Sequence, residues 1–98
     1  MNFTLKQESI SVRGQTVIVR EMTAGARAEM LEAAKVSQFR AQIVMAQHCA
    51  CDDKGKPLFD TKDFEKVAAW PPDVIDAIAN KALELSAGAG EGAPVPKG

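Results

Sequence analysis

Residues 9–20 of the chain read SISVRGQTVIVR, the part of the sequence that predicts β-structure. Apolar residues alternate with polar ones on both sides of Arg13 and Gly14, which is typical of two half-buried strands joined by a tight turn. The sequence therefore predicts a β-hairpin from about Ser9 to Arg20. A lone hairpin is marginal in water, so its apolar face must pack on other elements. That face comprises Ile10, Val12, Val17 and Val19.

Two helices are predicted after the hairpin. Thr23 can cap the first, from Ala24 to about Val36, because its hydroxyl can accept a hydrogen bond from the first turn. The second follows Ser37 and ends near Cys51. The first helix has an apolar stripe of Met30, Ala33 and Ala34. The second is apolar around much of its circumference, which places it at the centre of the fold; its apolar residues are Phe39, Ile43, Val44, Met45, Ala46, Cys49 and Ala50.

A turn and a short third helix come next. Residues 52–57 concentrate Asp, Lys, Gly and Pro, and Gly55 is free to adopt a positive φ, so the chain is expected to turn there. Asp60 is predicted to cap the third helix. That cap would bring Phe59 and Phe64 into contact as a hydrophobic staple.

The fourth helix carries the clearest amphipathic pattern of the chain. Pro71 ends the third helix, since proline disfavours the α conformation at the preceding residue, and Pro72 can open the fourth, which ends by about Ala87. We expect its apolar stripe to belong to the core. The stripe consists of Ile75, Ile78, Ala82 and Leu85, opposite Asp73, Asp76, Asn80 and Glu84.

Together these elements predict an α+β fold that is mostly α-helical, with the N-terminal hairpin packed on about four helices. A chain of 98 residues has room for one domain, which we expect to span residues 1–87. Residues 88–98 are mainly Gly, Ala and Pro, with too little apolar area to offset the entropy of ordering, so they are predicted to form a flexible tail or linker. The predicted core includes Phe39, Ile43 and Phe64.

Composition limits the partners and the compartment. The net charge is −1, with Lys and Arg scattered singly among acids, so we expect no surface for nucleic acid. No stretch approaches the roughly 20 apolar residues that cross a bilayer, and residues 1–10 lack the pattern of a signal peptide. The two cysteines are separated by a single residue, which is too close to staple a fold, and this suits a reducing compartment. The sequence therefore favours a cytoplasmic protein without membrane partners.

One short stretch concentrates potential metal ligands, namely His48, Cys49, Cys51, Asp52 and Asp53. On a helix Cys49 and Cys51 would point about 200° apart, whereas zinc ligands usually come in more widely spaced pairs, with a second pair elsewhere. His48 has no recognisable nucleophile motif around it, which leaves Cys–His chemistry as the alternative. We expect no catalytic, metal or cofactor site, and hence no enzyme.

Two features could contact a partner protein. Trp70, the single tryptophan, is either a packed plug at a helix junction or an exposed anchor, since aromatic residues are enriched in binding hot spots. The stripe of the fourth helix is either core or a self-association face. The candidate partner-binding residues are therefore Trp70, Ile75, Ile78 and Leu85.

Several segments, taken in order, resemble a known family. VIVREMT at 17–23 is followed by helices, then by DDKGKPLF at 52–59, and then by Pro71-Pro72 before a helix that ends near Leu83-Glu84-Leu85. This order is similar to that of the tail assembly chaperones of long-tailed, siphovirus-type bacteriophages and prophages. The resemblance covers about Ile10 to Ala87 and includes no catalytic signature.

The resemblance implies a protein of the host cytoplasm that binds the long, helical tape measure protein, recruits tail tube subunits during assembly and is absent from the mature virion. Many members also exist in a longer, frameshifted form, which a flexible tail would suit as a linker. A chaperone that covers many apolar stripes is expected to form a homo-oligomer.

Two other functions stay open. The first is a small structural connector or completion protein retained in the virion. The second is a small DNA-binding regulator, which would need a basic recognition face, whereas the fourth helix offers only Lys81 against several acids.

Overall fold

The computed structural model describes residues 4–59 and 63–87. A hairpin packed on four helices confirms the predicted α+β, mostly helical fold class. The predicted tail at 88–98 lies outside the described residues. In chain order the elements are β1 (Gln7–Val12), β2 (Gln15–Arg20), α1 (Ala24–Ala34), α2 (Gln38–Cys49), β3 (Ala50–Cys51), α3 (Phe64–Ala68) and α4 (Pro72–Ala87).

The hairpin forms as the sequence predicts. β1 and β2 pair antiparallel, with Val12 opposite Gln15 across a two-residue turn. The turn residues Arg13 and Gly14 have φ angles of 54° and 76°. Positive φ at both positions is what a type I′ turn requires, and the twist of that turn matches the twist of paired strands.

Two ion pairs join the hairpin to α4. The guanidinium of Arg13 donates to both carboxylate oxygens of Asp73, each at 2.9 Å. The ammonium of Lys81 lies 2.9 Å from Glu8 and 3.2 Å from Glu84. The hairpin is therefore tied to α4 at its turn and along β1.

Hydroxyl caps start the first two helices. Thr23 Oγ1 accepts from the N–H of Ala26 at 3.0 Å, as predicted, and Ser37 Oγ accepts from the N–H of Arg40 at 3.1 Å. α1 ends at Ala34, earlier than predicted, because Ser37 must already be extended, at φ −166°, to cap α2.

The end of the second helix was predicted incorrectly. α2 ends at Cys49, and Ala50 and Cys51 form β3, which pairs antiparallel with β2 and places Ala50 opposite Val19. The helical spacing of Ala50 does not reveal this, because β3 forms by pairing with β2, a strand far earlier in the chain. The N–H of Ala50 still donates to the Ala46 carbonyl of α2, and its own carbonyl accepts from the N–H of Leu58 at 2.8 Å. The turn after β3 is as expected, with Gly55 at φ 85°.

The third helix also starts differently from the prediction. It begins at Phe64, and the side chain of Asp63 caps it by accepting from the N–H of Glu65 at 3.0 Å. The predicted cap, Asp60, lies outside the described residues. Phe64 is therefore the first helical residue rather than the fourth, and the predicted staple with Phe59 is wrong.

The core lies where the helices meet the sheet. α2 packs against α1, α3 and α4, which confirms its central position. Ile43 is 1% exposed, as predicted, and Phe64 is partly buried against the core. Phe39 is 44% exposed, so the prediction that it belongs to the core was wrong. Its ring meets the Phe64 ring edge to face at 5.7 Å. Helical spacing indicates the face on which Phe39 lies, but not how far the neighbours extend to cover it.

Candidate partner-binding surface

The cysteine stretch is packed inside the fold. Cys49 and Cys51 are both buried. Burial, and to a lesser extent the neighbouring Cys51, raises the pKa of the Cys49 thiol to about 11. A thiol in that state is protonated near neutral pH, which makes it a poor nucleophile and metal ligand.

The polar residues near this stretch are held by local contacts. His48 Nε2 lies 2.9 Å from Glu29 Oε1, which links α2 to α1. The Asp52 carboxylate accepts from the backbone N–H groups of Lys56 and Lys54, and these bonds lower its pKa. Within residues 4–59 and 63–87, no three His, Cys, Asp or Glu side chains come together as a possible metal site. None of the described helices is both long and apolar enough to cross a membrane.

The sequence candidates for partner binding divide into two groups. Ile75, Ile78 and Leu85 are buried, which confirms the core interpretation of the α4 stripe and leaves their side chains no access to a partner in this conformation. Trp70 is 39% exposed, and its ring packs edge to face on Phe59, with 4.6 Å between centroids. Trp70 is thus both part of a packing contact and accessible at the surface.

The surface that best fits a protein partner is a groove between α1 and α4. Both helices pack on α2 and make little direct contact with each other in the described part of the chain. The groove consists of two adjoining depressions of about 350 Å³ and about 140 Å³, both lined by Met30 and Leu83. We call it the α1–α4 groove. One end is marked by Arg27 and Ser86, the other by Ala34 and Asn80.

The α1–α4 groove has a buried floor and exposed rims. Ala41 and Met45 of α2 and Ala79 of α4 form the floor, and all three are buried. Leu31 on α1 and Leu83 on α4 stand at the rims, 50% and 44% exposed. Two alanines and a methionine beneath the leucine rims produce a concave, mainly apolar channel of the kind in which an amphipathic helix docks.

Methionines make this lining adaptable. Met22, Met30 and Met45 all contribute to the groove. Methionine has three rotatable bonds and a polarisable sulfur, and surfaces rich in it accommodate varied apolar partners. The groove can therefore accept apolar stripes that differ in detail.

The sequence reasoning did not identify the α1–α4 groove. A signal was present at Leu31 and Leu83, which are large apolar residues outside the predicted stripes of their helices. A leucine on the polar side of an amphipathic helix is common at protein surfaces. What makes this pair informative is that α1 and α4 bring the two leucines to one groove, and that arrangement is tertiary.

Two other depressions are less suited to an apolar helix. One, of about 640 Å³, lies beside the hairpin turn and includes Trp70, but Arg13, Asp52 and Asp53 also line it. Another, of about 400 Å³, lies on a different face of α1 and α2 and combines Val36 and other apolar residues with the charged residues Glu29, Glu32 and Arg40. Charged side chains would have to lose water if an apolar stripe covered either depression.

Comparison with known proteins identifies a structural neighbour. The fold is similar to that in the structure of the bacteriophage HK97 tail assembly chaperone, with a TM-score of 0.75 and 22% sequence identity over 96% of this chain and 89% of that chain. No protein-family model and no curated protein sequence matches the chain. The resemblance inferred from the sequence is therefore confirmed at the level of the fold.

Proposed function

We propose that this protein is a phage tail assembly chaperone that uses the α1–α4 groove to hold apolar helical stripes of the tape measure protein while tail tube subunits are recruited. The observation that carries the proposal is this apolar groove, with its exposed Leu31 and Leu83, in a fold shared with the HK97 tail assembly chaperone. In this proposal the protein acts in the host cytoplasm without catalysing a reaction and is absent from the mature virion.

The groove favours weak, repeated binding over a single tight contact. Full burial of a leucine side chain contributes about 1.5–3 kcal/mol, and Leu31 and Leu83 still have about half of their surface to bury. Together they can add roughly 2 kcal/mol, from which the entropy lost on association must be subtracted. Since these two contacts supply far less than the roughly 8.2 kcal/mol of a micromolar complex, we expect each site to bind no more tightly than micromolar. A homo-oligomer would raise the overall affinity by presenting several grooves to one extended chain.

Reversibility is what the proposed role requires. A tape measure helix must be covered before the tube forms and released when tube subunits replace the chaperone. The exposed rims can make contacts without opening the core, because Leu31 and Leu83 are already accessible while the core stripe of α4 is buried.

Coexpression with a tape measure fragment tests the proposal. The wild-type chain should keep the fragment soluble and copurify with it. Leu83→Asp and Leu31→Asp should abolish copurification, because each places a carboxylate where an apolar side chain must dock. Val36→Asp is the matched control, since Val36 is 71% exposed and lies outside the α1–α4 groove.

Two results would reject this function. One is that the three variants behave alike, so that all of them lose copurification or all of them keep it. The other is the presence of the protein in purified virions, which would favour the structural connector instead. Circular dichroism of each variant must first give the wild-type helical signal, so that a loss of binding cannot be attributed to unfolding.

A further inference from the structure

We infer that Arg27 makes the α1–α4 groove selective for amphipathic helices that carry an acidic side chain beside their apolar stripe. This inference rests on the proposed function and specifies the chemistry of the partner segment. It concerns one end of the groove, where Arg27 lines the smaller depression together with Met22, Met30, Leu31, Leu83 and Ser86.

Arg27 is a cation without a carboxylate partner in the described part of the chain. Two nearby lysines do have carboxylate partners. Lys35, at the C-terminal end of α1, pairs with Glu32, and Lys81 on α4 pairs with both Glu8 and Glu84. Arg27 forms no ion pair with residues 4–59 or 63–87, and its side chain is exposed. It is the charged residue of an otherwise apolar and neutral depression.

Neighbouring polar groups leave Arg27 available to a ligand. The Ser86 hydroxyl accepts a hydrogen bond from the N–H of Met22 at 3.1 Å. Towards the other end of the groove, Gln42 donates to the Asp76 carboxylate at 3.0 Å. On α4, the carboxylate of Asp76 is therefore engaged by Gln42, as that of Glu84 is by Lys81.

The chemistry of the guanidinium determines the partner. Its planar fork matches a carboxylate and can donate two parallel hydrogen bonds, which a neutral amide cannot accept equally well. Water is excluded from the adjoining apolar groove when a helix docks, and this strengthens the attraction at its edge. A helix with a basic side chain at the same position would be repelled by Arg27. The groove thus rejects some apolar helices as well as binding others.

Designed peptides test this inference directly. Three helical peptides of about 20 residues, with identical leucine and alanine stripes, would carry Glu, Gln or Lys at one position beside the stripe. Wild-type protein should bind the Glu peptide about three- to fivefold more tightly than the Gln peptide, as expected for one exposed ion pair, and the Lys peptide more weakly still. The preference should shrink as salt rises from 50 to 300 mM, because salt screens exposed charges.

Charge reversal supplies the decisive comparison. Arg27→Glu should invert the order so that the Lys peptide binds best, while Arg27→Lys should keep the order with a smaller ratio. Lys54→Glu changes the net charge equally but lies in the turn after β3, so it should leave the order unchanged. Fluorescence anisotropy gives each dissociation constant, and circular dichroism verifies the fold of each variant.

The outcomes separate this inference from the proposed function. Equal affinity for all three peptides, or an order that Arg27→Glu does not alter, overturns the role of Arg27 while leaving groove binding intact. If no peptide binds the wild-type protein, the groove is not a general helix site, and this inference fails with it. The coexpression test with the tape measure fragment then decides the proposed function independently.

Discussion

Replacing Ile43 with alanine should strongly destabilise the protein. Ile43 is 1% exposed at the centre of α2, and the substitution removes the three carbons beyond Cβ. At about 0.8 kcal/mol per buried carbon group, the transfer loss is roughly 2.4 kcal/mol. The cavity left behind increases the cost, so we expect a total of about 3–4 kcal/mol, within the usual range for such substitutions.

Phe39→Ala is the matched comparison, because the sequence alone places both residues in the core. Phe39 is 44% exposed and meets Phe64 edge to face. Partial burial and one ring contact together predict a cost of about 1–2 kcal/mol. The larger side chain should therefore be the less costly one to remove, by about 2 kcal/mol.

Urea unfolding followed by circular dichroism measures the difference. With a slope near 1 kcal/mol/M, as for a small domain, the two variants should differ in midpoint by about 2 M. If Ile43→Ala does not fold, Ile43→Val, expected to cost about 0.5–1.5 kcal/mol, still measures packing at that site. Equal urea midpoints for the two alanine variants, or a lower midpoint for Phe39→Ala, would refute the conclusion that Ile43 is a core residue and Phe39 a partly exposed one.

Four further predictions concern the turns and the buried thiols. Arg13→Ala should lower stability more than Arg13→Gly in urea melts, by about 1 kcal/mol, because both lose the Asp73 pair but only glycine relieves the positive φ. The hydrogen bond from Arg13 lowers the pKa of Asp73 below its ordinary value, so the contribution of this pair is present above the ordinary carboxyl pKa and is lost as pH falls through the lowered pKa. The stability of the wild type relative to Arg13→Gly should therefore fall in acid. Gly55→Ala should cost about 1 kcal/mol at φ 85°, again measured by urea unfolding. Cys49 and Cys51 should react with a thiol reagent at pH 8 only after unfolding, and rapid labelling of the native protein would contradict their burial.

The location of the candidate surface was not predictable from the sequence. The family resemblance implied a long helical partner, and the sequence offered the α4 stripe at Ile75, Ile78 and Leu85 as a candidate face. Those side chains are buried, so the stripe is core. The groove instead uses Leu31 and Leu83, whose accessibility depends on the spacing of α1 and α4 over α2. No periodicity within one helix encodes the distance between two helices.

Local sequence preferences account for the features that depend on neighbouring residues. The hairpin turn at Arg13-Gly14, the cap at Thr23, the break at Pro71 and the buried stripe of α4 all follow from local backbone preferences and helical spacing. Three other features arise from long-range packing: Ala50–Cys51 pair with the sheet instead of extending α2, Phe39 is half exposed, and a groove lies between α1 and α4. These features depend on groups far apart in the chain, because a backbone hydrogen bond or a covered ring requires a partner that the local sequence does not specify.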